Sequence, residues 1–406
     1  MARALLILPT ATYRASDFLR AAERLGVDVV VASERRQALE GVMGERALLL
    51  RLSRPEEAVE AIASVHERTP LHAVVAVDDQ GVRVAALAAE RLGLQGNPPA
   101  AAAATRDKAA MRRAFAEAGV VQPDFLLVPP GADVGAAARG LGFPVVVKPL
   151  SLSASRGVIR ADDEKGAASA GARARAIAGD EAELMLERYV PGREVALEGL
   201  LRGGELQVLA LFDKPDPLEG PYFEETILVT PSRLVGETQE RARSVAAEAA
   251  AALGLSGGPV HAELRVDGEE VVMLELAARS IGGLCSRALR FGLGASLEEV
   301  ILRHALGMPL DGLWREAAAA GVMMIPIPNA GVLEQVGGQE QARAVAGIEG
   351  IEITIPRGRD VVPLPEGDRY LGFLFARGEL PDDVEWSLRK AHSKLDIRIA
   401  DGARAA

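Results

Sequence analysis

The chain has 406 residues, of which 49% are hydrophobic and 25% are charged, so it is long enough for two or three packed domains. Its 57 Asp and Glu residues outnumber its 46 Lys and Arg residues. The resulting formal net charge of −11 argues against nucleic acid or an anionic membrane as the main partner. The longest early apolar run, Ala4 to Pro9, is too short for a signal sequence or a membrane span, so we expect a cytoplasmic protein. The single cysteine, Cys285, excludes an intramolecular disulfide framework and is expected to be a small buried residue.

Strand-like and helix-like stretches alternate at the start of the chain. ALLILP, an amphipathic stretch from about 16 to 25, and VDVVVA predict a βαβ unit. The turn TATYR at 10–14 lacks the G-x-G-x-x-G fingerprint, which disfavours a dinucleotide-dependent dehydrogenase. A further strand ends at Asp78 and Asp79, and the breakers GNPP place a first domain boundary near residues 97 to 105.

A lysine ends the apolar strand in FPVVVKPLSLSASRGV, residues 143–158, and a loop of small residues follows it. A lone lysine at the end of a strand is more often an ordinary solvent-exposed residue without a binding role. If a phosphate chain lies nearby, however, Lys148 can contact it, and the loop 150–157 can close over it with backbone N–H groups. The same reasoning applies to Lys108, near the start of an Arg-rich helix, although an ordinary surface charge is the alternative there.

A predicted β-hairpin in the segment 258–283 places acidic residues on one face. The even-numbered positions of both strands are apolar, whereas odd-numbered positions include Glu263, Glu275 and Arg279. A three-residue loop with a G1 bulge at Gly268 would align the two apolar sets, and a two-residue loop ending at that glycine would separate them. We therefore expect Glu275 opposite His261, with Glu263 one diagonal step away, about 7–8 Å between backbones.

Two carboxylates at that separation can hold Mg²⁺, which takes hard oxygen ligands and completes its coordination with phosphates and water. Mn²⁺ is a further option. The alternative is an exposed hairpin face with ordinary surface charges. Arg279 favours the metal site, because an arginine beside it can neutralise charge on a transferred phosphoryl group.

Over most of its length, the chain resembles the ATP-grasp ligases. The resemblance is carried by Asp107 with Lys108, by the lysine and loop at 148–157, by the hinge LMLERYVPGREVALEG at 184–199, and by the acidic hairpin. It implies an α/β (α+β) ATP-grasp fold in which residues 1–104 form a Rossmann-like pre-ATP-grasp domain. The resemblance also assigns 105–188 to the small, lid subdomain, 189–312 to the large subdomain with the magnesium site, and 313–406 to a C-terminal α/β extension.

The resemblance also implies roles for individual residues. ATP would bind through Glu187 and the backbone up to Val190 at the adenine edge, and through Glu194 at the ribose. Glu263 and Glu275 would hold Mg²⁺, with Arg279 near the transferred phosphoryl group. The phosphates would contact Lys108, Lys148, Ser153, Ser155 and Gly157.

Two features depart from the family pattern. The acidic strand of the family often reads E-x-N-x-R, whereas this chain has Ala277 at the asparagine position, which leaves the number of metal ions open. The phosphate loop is rich in serine where many relatives have glycine, so Ser151, Ser153 and Ser155 could supply hydroxyl contacts. Neither departure removes the two main acids.

The segment ARSIGGLCSRALRFGLG resembles the L-amino-acid ligase and carnosine-synthase-like branch. The resemblance implies that Arg287, on a predicted helix with Arg290, meets the substrate carboxylate; a surface arginine is the alternative. Lys214, Glu224 and Glu225 in LFDKPDPLEGPYFEET are further candidates for the substrate pocket, although an exposed loop is equally consistent with that sequence.

The activity implied by this branch is ATP-dependent ligation of a carboxylate, expected to be an amino acid, to an amine. ATP would convert the carboxylate to an acylphosphate, and the amine would then displace phosphate, with ADP as the other product. A biotin-carboxylase-like or purine-biosynthesis enzyme is one alternative, disfavoured by SIGGLC after Arg279. A nucleotide-binding relative without catalysis is another, supported only by Ala277. The sequence fixes neither the two substrates nor the oligomeric state, and a homodimer is one option.

Overall fold

The N-terminal segment folds around a four-stranded parallel sheet with the strand order β3-β2-β1-β4. The computed structural model describes residues 2–9, 12–35 and 46–401. Alternate residues of β1 enter two different core clusters, so the sheet is covered on both faces, as near-continuous apolar strands require. The predicted βαβ start is confirmed; Thr10 and Ala11 of the turn that lacks the glycine fingerprint lie outside the described residues. The elements are β1 (Arg3–Ile7), α1 (Ala15–Leu25), β2 (Asp28–Ser33), β3 (Ala47–Leu49), α2 (Pro55–Arg68), β4 (Ala73–Ala76) and α3 (Val82–Leu92).

The next segment contains a four-stranded antiparallel sheet, in the order β5-β8-β6-β7, with two helices packed on it. Two helices lead into this sheet, and the second of them begins at Lys108, where the Asp107 side chain caps it by accepting from the backbone N–H of Ala109 (2.8 Å) and Ala110 (3.1 Å). The elements are α4 (Pro99–Ala104), α5 (Lys108–Ala118), β5 (Phe125–Val128), α6 (Val134–Leu141), β6 (Val145–Pro149), β7 (Ile159–Ala161), α7 (Glu164–Ala178) and β8 (Leu184–Arg188).

An eight-stranded sheet forms the centre of the molecule, in the order β13-β12-β9-β10-β11-β14-β18-β16. Helix α8 packs on β13, β10 and β9, and together they form one hydrophobic core cluster. The elements of this segment are β9 (Arg193–Arg202), β10 (Glu205–Asp213), β11 (Ile227–Thr230), α8 (Gly236–Ala252), β12 (Gly257–Asp267), β13 (Glu270–Ala277) and α9 (Leu297–Ala305).

The segment 313–406 does not form a separate layer, because three of its strands complete the central sheet. The others form a three-stranded sheet in the order β17-β15-β19. None of the described helices is both long and apolar enough to cross a membrane. The elements are β14 (Ala319–Ile325), β15 (Gly331–Gly337), α10 (Gln339–Arg343), β16 (Ile348–Ile353), β17 (Asp360–Val361), β18 (Gly372–Gly378), α11 (Pro381–His392) and β19 (Asp396–Ala400).

The β12–β13 hairpin has a different register from the predicted one. Asp267 pairs with Glu270, so the loop has two residues, and its first residue, Gly268, has a φ of 59°. Glycine is favoured at this first loop position in tight hairpins. The predicted three-residue loop, with Glu275 opposite His261, is therefore wrong.

A β-bulge at Leu274 corrects the register within the strand. Leu264 pairs with Met273, but Glu263 pairs with Glu275, so Leu274 is an extra residue on β13. The bulge turns both Leu274 and Glu275 toward the cavity described below, whereas Met273 and Leu276 enter the core. Glu263 and Glu275 consequently lie directly opposite each other on one face, closer than the diagonal arrangement that we predicted.

Candidate active site

A cavity of about 580 Å³ lies where the four segments of the chain meet, a size typical of small-molecule sites. Every segment contributes polar side chains to its wall, so the cavity depends on the packing of the whole chain. The residues predicted to bind ATP and metal converge here, with one exception noted below. The charged lining residues are Asp78, Asp79, Arg106, Lys108, Lys148, Arg156, Glu187, Arg188, Glu194, Glu225, His261, Glu263, Arg265, Glu275, Arg279 and Asp368.

The paired carboxylates of Glu263 and Glu275 form one wall of the cavity. Their side chains remain 29% and 36% exposed, so oxygen atoms of both are accessible to a ligand. Two like charges directly opposite each other on a sheet are destabilising unless cations accompany them. The Lys108 ammonium lies 3.2 Å from Glu275 Oε1 and supplies one such charge. An all-oxygen donor pair of this kind suits Mg²⁺ or Mn²⁺, whereas Ala277 offers no further donor.

A buried lysine compensates the acids on the other side of the pair. Lys214 Nζ contacts Glu194 Oε1 at 2.7 Å, also bonds Glu225, and lies 3.6 Å from Glu263 Oε1. Burial alone would lower the pKa of Lys214, but these carboxylates raise it well above its ordinary value. For Glu263, burial alone would raise the pKa, but Lys214 and His261 lower it. Lys214 is therefore a fixed positive charge beneath the acidic wall rather than part of the lining.

His261 links the acidic wall to a deeper carboxylate. Its Nδ1 lies 2.5 Å from Oε1 of Glu198, which is fully buried, and its Nε2 lies 3.5 Å from Glu263 Oε1. Burial alone would lower the pKa of His261, but Glu198 raises it to about 9. Glu198 also accepts from the backbone N–H of Ile281 at 3.0 Å, so it joins the acidic hairpin to the segment after Arg279.

Lys148 and Glu187 belong to a buried ionic cluster. Glu187 accepts from Arg112 Nε at 2.8 Å and contacts Lys148 Nζ at 2.5 Å, and the Arg112 guanidinium also donates to the carbonyl of Leu274, the bulge residue, at 2.6 Å. The Glu187 carboxylate thus positions two cations at one end of the cavity. The backbone of Val190 is also engaged, because its carbonyl accepts from Arg265 Nη1 at 3.0 Å.

Replacing Glu187 with glutamine should make stability less dependent on pH. Burial alone would raise the pKa of Glu187, but Arg112 and Lys148 lower it to about 2, from an ordinary 4.5. That shift corresponds to about 3 kcal/mol of stability, present above pH 4.5 and lost as the pH falls toward 2. Urea unfolding at pH 7, 5 and 3 should therefore show that the difference in unfolding free energy between the wild type and Glu187→Gln is smallest at pH 3. A gap that stays constant across the series, or an equal loss in the exposed-site control Glu270→Gln, would contradict this account.

The small-residue loop lines the cavity through Ser151 to Arg156. Ala154 and Ser155 have φ values of 56° and 54°, a left-handed conformation that is costly for residues other than glycine. Lys108 Nζ donates to the carbonyl of Leu152 at 3.0 Å and so joins the loop to the acidic wall. Ser153 and Ser155 are in place to contact a ligand.

Gly157 does not have the expected role. Its N–H donates to the Pro365 carbonyl at 2.9 Å, and a Cβ at this position would lie 2.9 Å from Pro149 Cγ. Gly157 is outside the cavity lining, so its backbone N–H is not available to a phosphate. Its glycine is required by close packing and by a φ of 67°.

Arg279 reaches the cavity as predicted, and it is held by an acid that the sequence analysis left without a role. Its Nε and Nη2 donate to Asp79 Oδ1 and Oδ2 at 3.0 and 3.1 Å. Burial alone would lower the pKa of Arg279, but Asp79 raises it; conversely, Arg279 lowers the pKa of Asp79 against the effect of burial. Two consecutive acids at the carboxyl end of a parallel strand were the signal available in the sequence.

The structure does not bring three predicted substrate residues to the cavity wall. Arg287 donates to Asp17 at 2.9 Å and also to Glu352, and it lies outside the cavity lining. It occupies a short 3₁₀ turn, Cys285–Ala288, rather than the predicted helix, and Arg290 follows that turn. Lys214 lies beneath the wall, and Glu225 rather than Glu224 faces the cavity. Cys285 is buried, as predicted, and burial raises the pKa of its thiol.

Three family models match successive parts of the chain. The ATP-grasp N-terminal domain matches residues 19–96, the ATP-grasp domain matches 141–288, and the L-amino acid ligase C-terminal domain 2 matches 323–400. The crystal structure of an L-amino acid ligase from Bacillus licheniformis is similar over 99% of both chains, with a TM-score of 0.83 and 25% sequence identity.

Two curated relatives extend the comparison. An uncharacterized protein of Sinorhizobium fredii, y4rH, is 22% identical over 98% of this chain and 84% of its own length. Alanine–anticapsin ligase of Bacillus subtilis is 30% identical over 56% of this chain, and the match spans only 52% of that enzyme.

These findings define the class of the protein: the chain is an ATP-grasp protein with an α/β fold. Within that class, the match of its C-terminal domain and the full-length structural match both support the L-amino acid ligase-like branch. The comparisons support an enzyme that performs ATP-dependent, ADP-forming carboxylate–amine ligation, and ATP-grasp ligases use ATP with a divalent metal.

Proposed function

We propose that this chain joins the carboxylate of one amino acid to the amine of a second substrate through an acylphosphate. The observation that carries the proposal is the single cavity in which two facing carboxylates, two lysines and an arginine converge from separate segments. Such a set serves positioning and charge neutralisation, which are the main demands of phosphoryl transfer.

We assign binding of the nucleotide to two lysines near the start of the phosphate loop. Lys108 and Lys148 both face the cavity, one beside the acidic wall and the other beside Glu187, so they can contact successive phosphates. Ser153 and Ser155 would add hydroxyl contacts. Glu194 remains the candidate for the ribose hydroxyls, although its oxygens already accept from Lys214 and Arg265.

Glu263 and Glu275 would hold the divalent cation, proposed to be Mg²⁺, with Mn²⁺ as a substitute. When bound, such a cation neutralises phosphate charge and acts as a Lewis acid. The remaining chemistry is done by the chain itself: Arg279 donates to the oxygens on which charge develops, and the buried walls exclude water that would hydrolyse an acylphosphate.

The substrate carboxylate oxygen attacks the γ-phosphorus of ATP, and ADP leaves. The amine then attacks the carbonyl carbon and expels phosphate, which leaves one amide bond, ADP and inorganic phosphate. Glu225 faces the same cavity, and its carboxylate, which also bonds Lys214, is a candidate to interact with an amino group.

A pairwise matrix of amino acids, assayed for ADP and phosphate release, tests the proposal. We expect release only when a carboxylate substrate and an amine are both present, with a dipeptide-like product detected by mass spectrometry. A parallel series with bicarbonate tests the carboxylase-like alternative, which the match of an L-amino acid ligase domain to 323–400 disfavours. Bicarbonate-dependent ADP release without an amide product would overturn the ligase proposal.

A further inference from the structure

We propose that the N-terminal domain holds Arg279 in its working position and that Asp79 is the positioning residue. The inference rests on the proposed ligase function, because it assigns Arg279 a part in phosphoryl transfer. It gives the N-terminal domain a direct role in the reaction at the cavity, because Arg279 lines that cavity.

The topology of the N-terminal sheet identifies the place of contact. In the order β3-β2-β1-β4, the direction of strand succession reverses between β1 and β4. Open α/β sheets bind ligands in the crevice at the carboxyl ends of the strands beside such a reversal. Arg14 follows β1 and Asp79 follows β4, so both side chains come from this edge of the sheet.

A segment of the same chain, Arg279–Ile281, is bound at that crevice. Arg14 Nη1 donates to Ser280 Oγ at 2.8 Å and to the Ile281 carbonyl at 3.0 Å, and Asp79 accepts from Arg279 through both oxygens. Two loops of the N-terminal domain therefore hold three consecutive residues that begin two positions after the acidic hairpin ends. Arg14 is itself fully buried and paired with Glu298 at 2.9 Å, which makes this attachment rigid.

The Asp79 carboxylate fixes both the position and the plane of the Arg279 guanidinium. A two-point carboxylate–guanidinium contact is directional, unlike a single ion pair. Arg279 Nη1 also donates to the Ser280 carbonyl at 3.0 Å, so all three guanidinium nitrogens are oriented. Each Nη nitrogen has a second N–H, which leaves donors for a phosphoryl oxygen in the cavity.

Asp79 acts through Arg279, and this distinguishes it from a residue that binds substrate. Arg106 Nη1 lies 3.9 Å from Asp79 Oδ2, and Lys108 is a further cation that acts on this carboxylate. Asparagine at position 79 would keep one acceptor but present an N–H₂ group to the guanidinium, which itself carries only donors. The guanidinium would then lose its fixed orientation while the nucleotide contacts of Lys108 and Lys148 stayed intact.

The test compares Asp79→Asn with the wild type in the ADP-release assay. We expect kcat to fall about 10- to 100-fold, by analogy with the loss of partners that orient metal ligands, while KM for ATP stays within about twofold. In an Arg279→Ala background, Asp79→Asn should have almost no further effect, because both changes remove the same interaction. A kcat for Asp79→Asn within about twofold of wild type, or a large additional loss in the Arg279→Ala background, would overturn the inference.

Asp17→Asn is the matched control. Asp17 is also a buried acid of the N-terminal domain and also pairs with an arginine of the following segment, Arg287 at 2.9 Å, but neither residue lines the cavity. Asp17→Asn should therefore keep its kcat. A wild type without ligation would refute the proposed function, and a crystal structure of Asp79→Asn then decides the positioning role by itself: a displaced Arg279 guanidinium supports it, and an unmoved one overturns it.

Discussion

Arg279→Ala should lower kcat about 1,000-fold while Arg287→Ala leaves it within about threefold of wild type. Arg279 lines the cavity beside the acidic wall, whereas Arg287 is bound by Asp17 and Glu352 outside it. The difference follows from position, because a guanidinium can stabilise developing phosphoryl charge only within hydrogen-bond reach of it. Single-turnover measurement of ADP formation, with circular dichroism to confirm folding, provides the comparison.

Arg279→Lys refines that comparison. A lysine keeps the positive charge but cannot make the two-point contact with Asp79, so we expect an activity between those of the wild type and the alanine variant. Equal losses in Arg279→Ala and Arg287→Ala would contradict the assignment, because the reaction would then depend as much on an arginine outside the cavity lining as on Arg279.

Glu275→Gln should reduce Mg²⁺-dependent ADP formation at least about 100-fold. Glutamine keeps the size of the side chain but removes the charge that pairs with Lys108 and would hold the cation with Glu263. Binding of Mn²⁺, followed by electron paramagnetic resonance in the presence of a non-hydrolysable ATP analogue, should weaken in parallel.

Glu270→Gln supplies the control for the acidic wall, because Glu270 begins the same strand but is exposed beside the hairpin turn. It should match the wild type in both measurements. A Glu275→Gln variant that binds Mn²⁺ and turns over like the wild type would remove Glu275 from the metal site.

Helices and strands with strong hydrophobic periodicity could be predicted from the sequence, and so could the positions of Lys108 and Lys148 on them. Lys108 begins α5 directly after its capping Asp107, and Lys148 lies near the end of β6, where the apolar run stops. Both positions depend on local signals, namely a helix cap and a strand boundary. Their convergence in one cavity depends on tertiary packing, which only the family resemblance implied.

The register of the acidic hairpin could not be read from alternation alone. Apolar residues occupy the even positions 260–266 and 272–276 of the two strands, but Val271 and Met273 enter the core and Leu274 does not. The bulge at Leu274 is a backbone feature that shifts the alternation in the middle of a strand. A pattern with period two does not encode such a shift. The sequence predicted both acids on one face, but one diagonal step apart rather than directly opposite each other.

Contacts between distant segments were also beyond the sequence. Asp79 and Arg279 are 200 residues apart, and the pairing of Arg287 with Asp17 spans 270 residues. From the sequence alone, Arg287, which follows the glycine pair at 282–283, could equally bind a substrate or form an ion pair within the protein. Only the fold decides which carboxylate it meets.

The most direct test of the central claim follows oxygen from the substrate carboxylate. An amino acid labelled with ¹⁸O in its carboxylate is supplied with ATP, Mg²⁺ and an accepting amine, and the released phosphate is analysed by mass spectrometry. An acylphosphate mechanism predicts that each phosphate formed with product carries one ¹⁸O atom, because the carboxylate oxygen that attacks phosphorus leaves with it. Product formation with unlabelled phosphate would contradict the account.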